Sequence, residues 1–108
     1  MSKAVNVFTQ KTPNPNAYKF PTSIELVPEG SYEFRKEDAP TGCAFVDHFF
    51  NSWDVERVYI ASNFVTVLKA EGTEWFEFSR DVRDFISEAI RDELYSPERL
   101  PATFRLQT

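Results

Sequence analysis

Nucleophilic chemistry in this sequence would have to involve Cys43 and His48, the only cysteine and the only histidine in the chain. A thiol near a helix start can have a lowered pKa, and an imidazole beside it can take its proton. Five positions separate the two residues, which is outside the three- or four-residue register that brings helical side chains together. A thiol-enzyme reading built on Cys43 and His48 is therefore the weakest one available, and structural or surface roles fit both residues better. Asp81, Asp84 and Glu88 form a carboxylate row at helical spacing. Such a row is a solvated helix face unless further ligands or a raised pKa join it. One cysteine excludes an internal disulfide and a four-thiolate metal centre within one chain. Gly30, Gly42 and Gly72 lie too far apart to build a phosphate loop. These residues predict no catalytic set, metal site or cofactor cradle, and the expectation is a protein that is not an enzyme.

What remains is recognition. Thr12-Pro13-Asn14-Pro15-Asn16 is a stiff segment. Two prolines fix φ, each residue before a proline is pushed toward extended geometry, and asparagines close short turns with their own side chains. A stiff loop presents backbone groups to a partner at low entropic cost. Lys11, Thr12, Pro13, Asn14, Pro15, Asn16, Tyr18 and Lys19 are the candidate protein-binding residues. Tyr18, Trp53 and Phe76 are aromatics that could remain exposed, although Trp53 and Phe76 have core roles available.

The elements that must hold this loop are readable from periodicity. The run from Val55 to Lys69 contains two stretches rich in β-branched and aromatic residues, Val58–Ile60 and Phe64–Leu68, around Ala61-Ser62-Asn63. So short a connection favours an antiparallel hairpin. Both faces of the second stretch are apolar, which predicts a central strand. Val5–Thr9 alternates like a first strand, and Tyr18–Phe20 opens a second that extends toward Ile24, Leu26 and Val27 unless Pro21 breaks it. Tyr32 and Phe34 fit either a short strand or inward packing from a loop. Phe45, Val46, Phe49, Phe50 and Trp53 make a helical stripe from about Thr41, with Thr41 as its cap. Glu74 to Leu94 is a second amphipathic helix, carrying Trp75, Phe78, Val82, Ile86 and Ile90 on one side, with Thr73 as its cap.

These elements predict an α+β, two-layer sandwich: a mostly antiparallel sheet with two helices on one face, in the order β-β-α-β-β-α. The expected division is a domain over residues 1–95 and a weakly ordered tail over 96–108, in which Phe104 and Leu106 are the residues able to dock. At 108 residues, one core is expected, and 11 phenylalanines must fill much of it. The net charge of −5 argues against a broad nucleic-acid footprint. No apolar run reaches membrane-spanning length. The opening residues lack a signal peptide's apolar core. A cytoplasmic monomer is the resulting expectation.

Thr12-Pro13-Asn14-Pro15 with Lys19-Phe20, Phe49-Phe50, Val55 and Val58, Phe64 to Val67, and Trp75 together resemble the N-terminal domain of Nfu-type (NifU-like) iron–sulfur scaffold proteins. The resemblance spans about residues 4 to 94. It implies a non-catalytic accessory domain in iron–sulfur cluster assembly or transfer, without cluster ligands of its own. In that family the cluster is held by a separate C-terminal domain through a Cys-x-x-Cys pair. The implied partner is an iron–sulfur scaffold domain or a recipient apoprotein. This sequence departs from the pattern at the charged stretch Val27 to Pro40, at Cys43, and at Asp54, where the family often has Gly. A small homo-oligomeric structural protein, pairing through a sheet edge or the tail, is the competing reading.

Overall fold

The computed structural model describes residues 5–106. Its strands are β1 (Gln10–Lys11), β2 (Ala17–Pro21), β3 (Ser31–Arg35), β4 (Val55–Ala61) and β5 (Phe64–Lys69). Helix α1 (Ala44–Ser52) precedes β4, and helix α2 (Trp75–Arg91) follows β5. The strands form one antiparallel sheet in the order β1-β2-β5-β4-β3, with both helices on one face. The fold is the expected α+β sandwich with β3 added to the element order.

β5 is the central strand because Val65 and Val67 face the helices while Phe64, Thr66 and Leu68 line the opposite face. Neither row needs full solvation. Its hairpin with β4 turns through Ser62 and Asn63, with Ser62 in the left-handed region at φ 46°. The connection from β2 to β3 crosses the end of this hairpin. The Leu26 and Val27 amides donate to the Ser62 carbonyl at 2.6 and 3.0 Å, which holds both side chains in the core.

The first strand differs from expectation in position. The Val5–Thr9 segment makes only an isolated bridge, Val7 to Thr22, and the paired strand is Gln10–Lys11. Pro21 supplies the reason. It has no amide to donate, so the Phe8 N–H bonds to its carbonyl at 2.8 Å with no reciprocal bond there. β2 likewise ends at Pro21, and Ile24, Leu26 and Val27 lie in the connection.

α1 starts at Ala44, with Cys43 rather than Thr41 at the capping position. Thr41 acts one step earlier. Its N–H and hydroxyl donate to Asp47 Oδ1 at 2.8 and 2.9 Å, tying the approach to the first helical turn. The residue before α2 is Glu74, while the Thr73 hydroxyl donates to the Ala70 carbonyl at 2.8 Å.

The core between sheet and helices includes Phe20, Phe34, Phe45 and Phe49, all essentially inaccessible to solvent. Each contributes about 2–3 kcal/mol of transfer free energy. The C-terminal residues pack on β3. Leu100 is buried, Phe104 lies 4.8 Å from Phe34 between ring centroids, and the Leu106 amide donates to the Ser31 carbonyl at 2.8 Å. No helix among the described residues is long and apolar enough to cross a membrane.

Candidate protein-binding site

The Thr12–Asn16 loop closes on its own side chains. The Thr12 hydroxyl lies 2.9 Å from the carbonyls of both Asn14 and Ala17, and it accepts the Asn14 N–H at 3.2 Å. Asn14 Oδ1 accepts the Asn16 N–H at 2.9 Å, an Asx turn, and the Ala17 N–H bonds to the Asn14 carbonyl at 3.0 Å. The prolines contribute no donor, so the side chains of Thr12 and Asn14 satisfy the loop internally. Pro13, Asn14 and Pro15 are left exposed at the tip.

The loop is also fastened to the end of β5. The Asn16 carbonyl accepts the Lys69 N–H at 2.8 Å, and Asn16 Oδ1 accepts a hydrogen bond from Lys69 Nζ at 2.8 Å. Lys69 is 7% exposed, because the alternation that points Val65 and Val67 inward points Lys69 inward too. The Ala70 carbonyl lies 3.4 Å from the same ammonium group. No carboxylate lies within 4.0 Å of Lys69 among the described residues, so neutral oxygens solvate this buried charge.

A surface groove of about 480 Å³ separates the loop from the start of α2. Pro15, Asn16 and Tyr18 line one side, and Gly72, Trp75 and Phe76 line the other. Tyr18 stacks on Trp75 at 4.3 Å with an interplanar angle of 11°. The Trp75 indole N–H is buried without a hydrogen-bond partner among the described residues. Phe76 is 81% exposed, so its expected core role does not hold: one position along the helix from Trp75, it points off the buried stripe.

The candidate residues thus divide. Thr12 to Asn16 form the fastened loop, Tyr18 packs inward against Trp75, and Lys11 is exposed on β1. Lys19 lies on the sheet face away from the helices, its Nζ 4.2 Å from the centre of the Phe64 ring. Phe76, one of the aromatics the sequence offered as able to remain exposed, completes the same region with Lys69, which was not among the sequence candidates. The alternation of β5 is the signal that could have placed Lys69 inside.

The Cys43–His48 reading gains nothing from the geometry. Cys43 is buried, and that burial pushes its thiol pKa up, against what a nucleophile requires. The His48 ring stacks on Phe85 at 3.9 Å and lies edge-on to Trp53 at 5.4 Å. Asp81, Asp84 and Glu88 are exposed along α2. No group of three or more His, Cys, Asp or Glu residues that could hold a metal ion occurs among the described residues.

Residues 7–93 match the family described as "Scaffold protein Nfu/NifU N terminal". The chain belongs to this family. A NifU-like protein of Schizosaccharomyces pombe is 28% identical over 90 residues, covering 82% of this chain and 35% of its own length. The mitochondrial NFU1 iron-sulfur cluster scaffold homolog of Drosophila ananassae is 33% identical over 78 residues, covering 69% of this chain and 27% of its own length. The chain therefore spans about a third or less of these relatives. The solution structure of a NifU-like protein from Saccharomyces cerevisiae superposes with a TM-score of 0.71 at 20% identity, covering 80% of this chain and 78% of that one. A Staphylococcus aureus crystal structure gives 0.60 at 22% identity, covering 74% and 96%. Both are likenesses of fold. The expectation of a cytoplasmic protein is overturned by the fruit-fly NFU1 relatives, whose names designate them mitochondrial.

Proposed function

We propose that this Nfu-type domain is a non-catalytic protein-binding module that positions a cluster-carrying scaffold domain or a recipient apoprotein during iron–sulfur cluster assembly or transfer. It acts as a monomer and carries no cluster itself. The observation that carries this reading is the loop fastened to β5. Thr12, Asn14 and Asn16 hold it rigid from within, and Lys69 anchors it, so Pro13, Asn14 and Pro15 are displayed in a fixed shape beside exposed Phe76. A preformed loop loses little entropy on binding, and an exposed aromatic at its rim provides contact area that folding has not consumed. Family membership supports seeking that partner among the proteins of iron–sulfur cluster assembly.

The test is calorimetric titration of the domain with a purified Nfu-type Cys-x-x-Cys domain, with and without its cluster. Binding is expected, and it should weaken in Asn14→Ala and Phe76→Ser, whose side chains are exposed. Absence of binding, or affinities unchanged in both variants, would overturn the assignment of this loop. Anaerobic reconstitution of the isolated domain with iron and sulfide should leave no cluster absorption. A bound cluster would refute the accessory role.

A further inference from the structure

Both helices cover one face of the sheet and leave the other bare. On that bare face β5 carries Phe64, Thr66 and Leu68, all half-buried, with no ionisable group among them. Tyr59 of β4 adds its ring 6.0 Å from Phe64. These apolar residues lie outside the core cluster and its packed neighbours.

Charge flanks this central row. Lys19 of β2 stands on one side, and Arg57 of β4 and Arg35 of β3 on the other. Arg35 and Arg57 are direct cross-strand partners, a like-charge pairing that disfavours the sheet unless other charges offset it. Among the described residues Glu33, 3.6 Å from Arg57, is the one carboxylate in an ion pair with these three cations, and Glu56 is exposed at the neighbouring bulge. In a chain of net charge −5, Lys19 and Arg35 on this face have no carboxylate within ion-pair distance among the described residues.

We infer that the bare sheet face docks an acidic amphipathic helix of a partner protein, its apolar row along β5 and its carboxylates toward Lys19 on one flank and Arg57 and Arg35 on the other. Strand addition is disfavoured at both edges: β1 has two residues, and β3 is capped by the Tyr32–Arg105 bridge and the Leu106 amide. Face packing remains, and helices already fill the opposite face in this manner. A second copy fits poorly. Its α2 offers acids, but the apolar stripe of that helix is buried in its own core.

This inference rests on the protein-binding reading and is tested separately from it. The 15N-labelled domain is titrated with a synthetic helical peptide bearing a leucine stripe flanked by glutamates, and with its counterpart in which lysines replace the glutamates. The acidic peptide should shift the amides of β2, β5 and β4, and the basic peptide should not. Lys19→Glu with Arg57→Glu should weaken binding about tenfold, with added salt acting in the same direction. The dispersion of the variant's own spectrum reports that it is folded. Equal binding of both peptides, shifts confined to the helical face, or no binding would overturn the inference. So would a dimer in sedimentation that the same double variant dissolves, since the occupant would then be a second copy. A Cys-x-x-Cys partner that binds the double variant as it binds the natural domain would sink the sheet-face docking alone and leave the protein-binding function standing.

Discussion

Asn16 Oδ1 accepts a 2.8 Å hydrogen bond from Lys69 Nζ, across 53 positions of sequence, and this contact joins the proline loop to the central strand. The ammonium is buried, so the bond offsets part of the cost of holding a charge away from water. Asn16→Ala removes the acceptor and leaves the charge facing only the Ala70 carbonyl. A loss of about 1–3 kcal/mol is expected in urea denaturation. Lys69→Met keeps the volume and removes the charge, so Asn16→Ala should cost less in that background. Additive losses would show that the two side chains do not interact energetically.

Burial raises the thiol pKa of Cys43 and the phenol pKa of Tyr95, whose hydroxyl donates to the Leu26 carbonyl at 2.7 Å. Both groups are neutral when protonated, so the folded state holds these protons more tightly than the unfolded state. Their contribution is fully present below the unfolded pKa values, about 8.5 for Cys and 10 for Tyr, and is lost as pH rises past them. Stability should therefore fall above roughly pH 9, and less steeply in Tyr95→Phe. Denaturation midpoints from pH 7 to 10.5 measure this, and a flat profile would contradict it. At neutral pH, iodoacetamide should modify Cys43 slowly until denaturant exposes it.

The parts of the fold that were legible are those whose local pattern had no competitor. The β4–β5 hairpin follows from its β-branched runs, and α2 follows from Trp75, Phe78, Val82, Ile86 and Ile90 recurring on one side. β3 was ambiguous because Ser31, Glu33 and Arg35 alternate with Tyr32 and Phe34, a pattern that only pairing with β4 resolves into a strand. The first strand was misplaced because the consequence of Pro21 falls on its neighbour, not on itself. The loop could be found from its prolines and asparagines. Its anchor could not, since Lys69 and Phe76 reach it only through the tertiary fold.

The C-terminal segment offers a test of where the folding unit ends. Leu100 is 6% exposed and belongs to the core cluster. Leu100→Ala should cost about 2–3 kcal/mol by lost transfer free energy and cavity formation. We propose that residues beyond 95 belong to the cooperative unit, so truncation there should cost more than this single substitution. If the chain ending at residue 95 unfolds at the same urea concentration as the full chain, those residues lie outside the unit.

Glu93 holds φ at 61°, just past the end of α2, where its N–H donates to the Ile90 carbonyl at 3.3 Å and the Tyr95 N–H reaches the Ala89 carbonyl at 3.1 Å. A left-handed residue at this position closes the helix and turns the chain so that Tyr95 enters the core. For a side chain with a Cβ, that conformation is unfavourable by about 1–2 kcal/mol. Glycine relieves it, although its freer unfolded chain returns part of the gain. Glu93→Gly should therefore stabilise the domain by about 0.5–1 kcal/mol, read as a higher urea midpoint with an unchanged slope. Glu93→Val, whose branched Cβ fits the left-handed region worse, should destabilise it. If both variants unfold at the same midpoint as the natural chain, the backbone at residue 93 carries no strain for glycine to relieve.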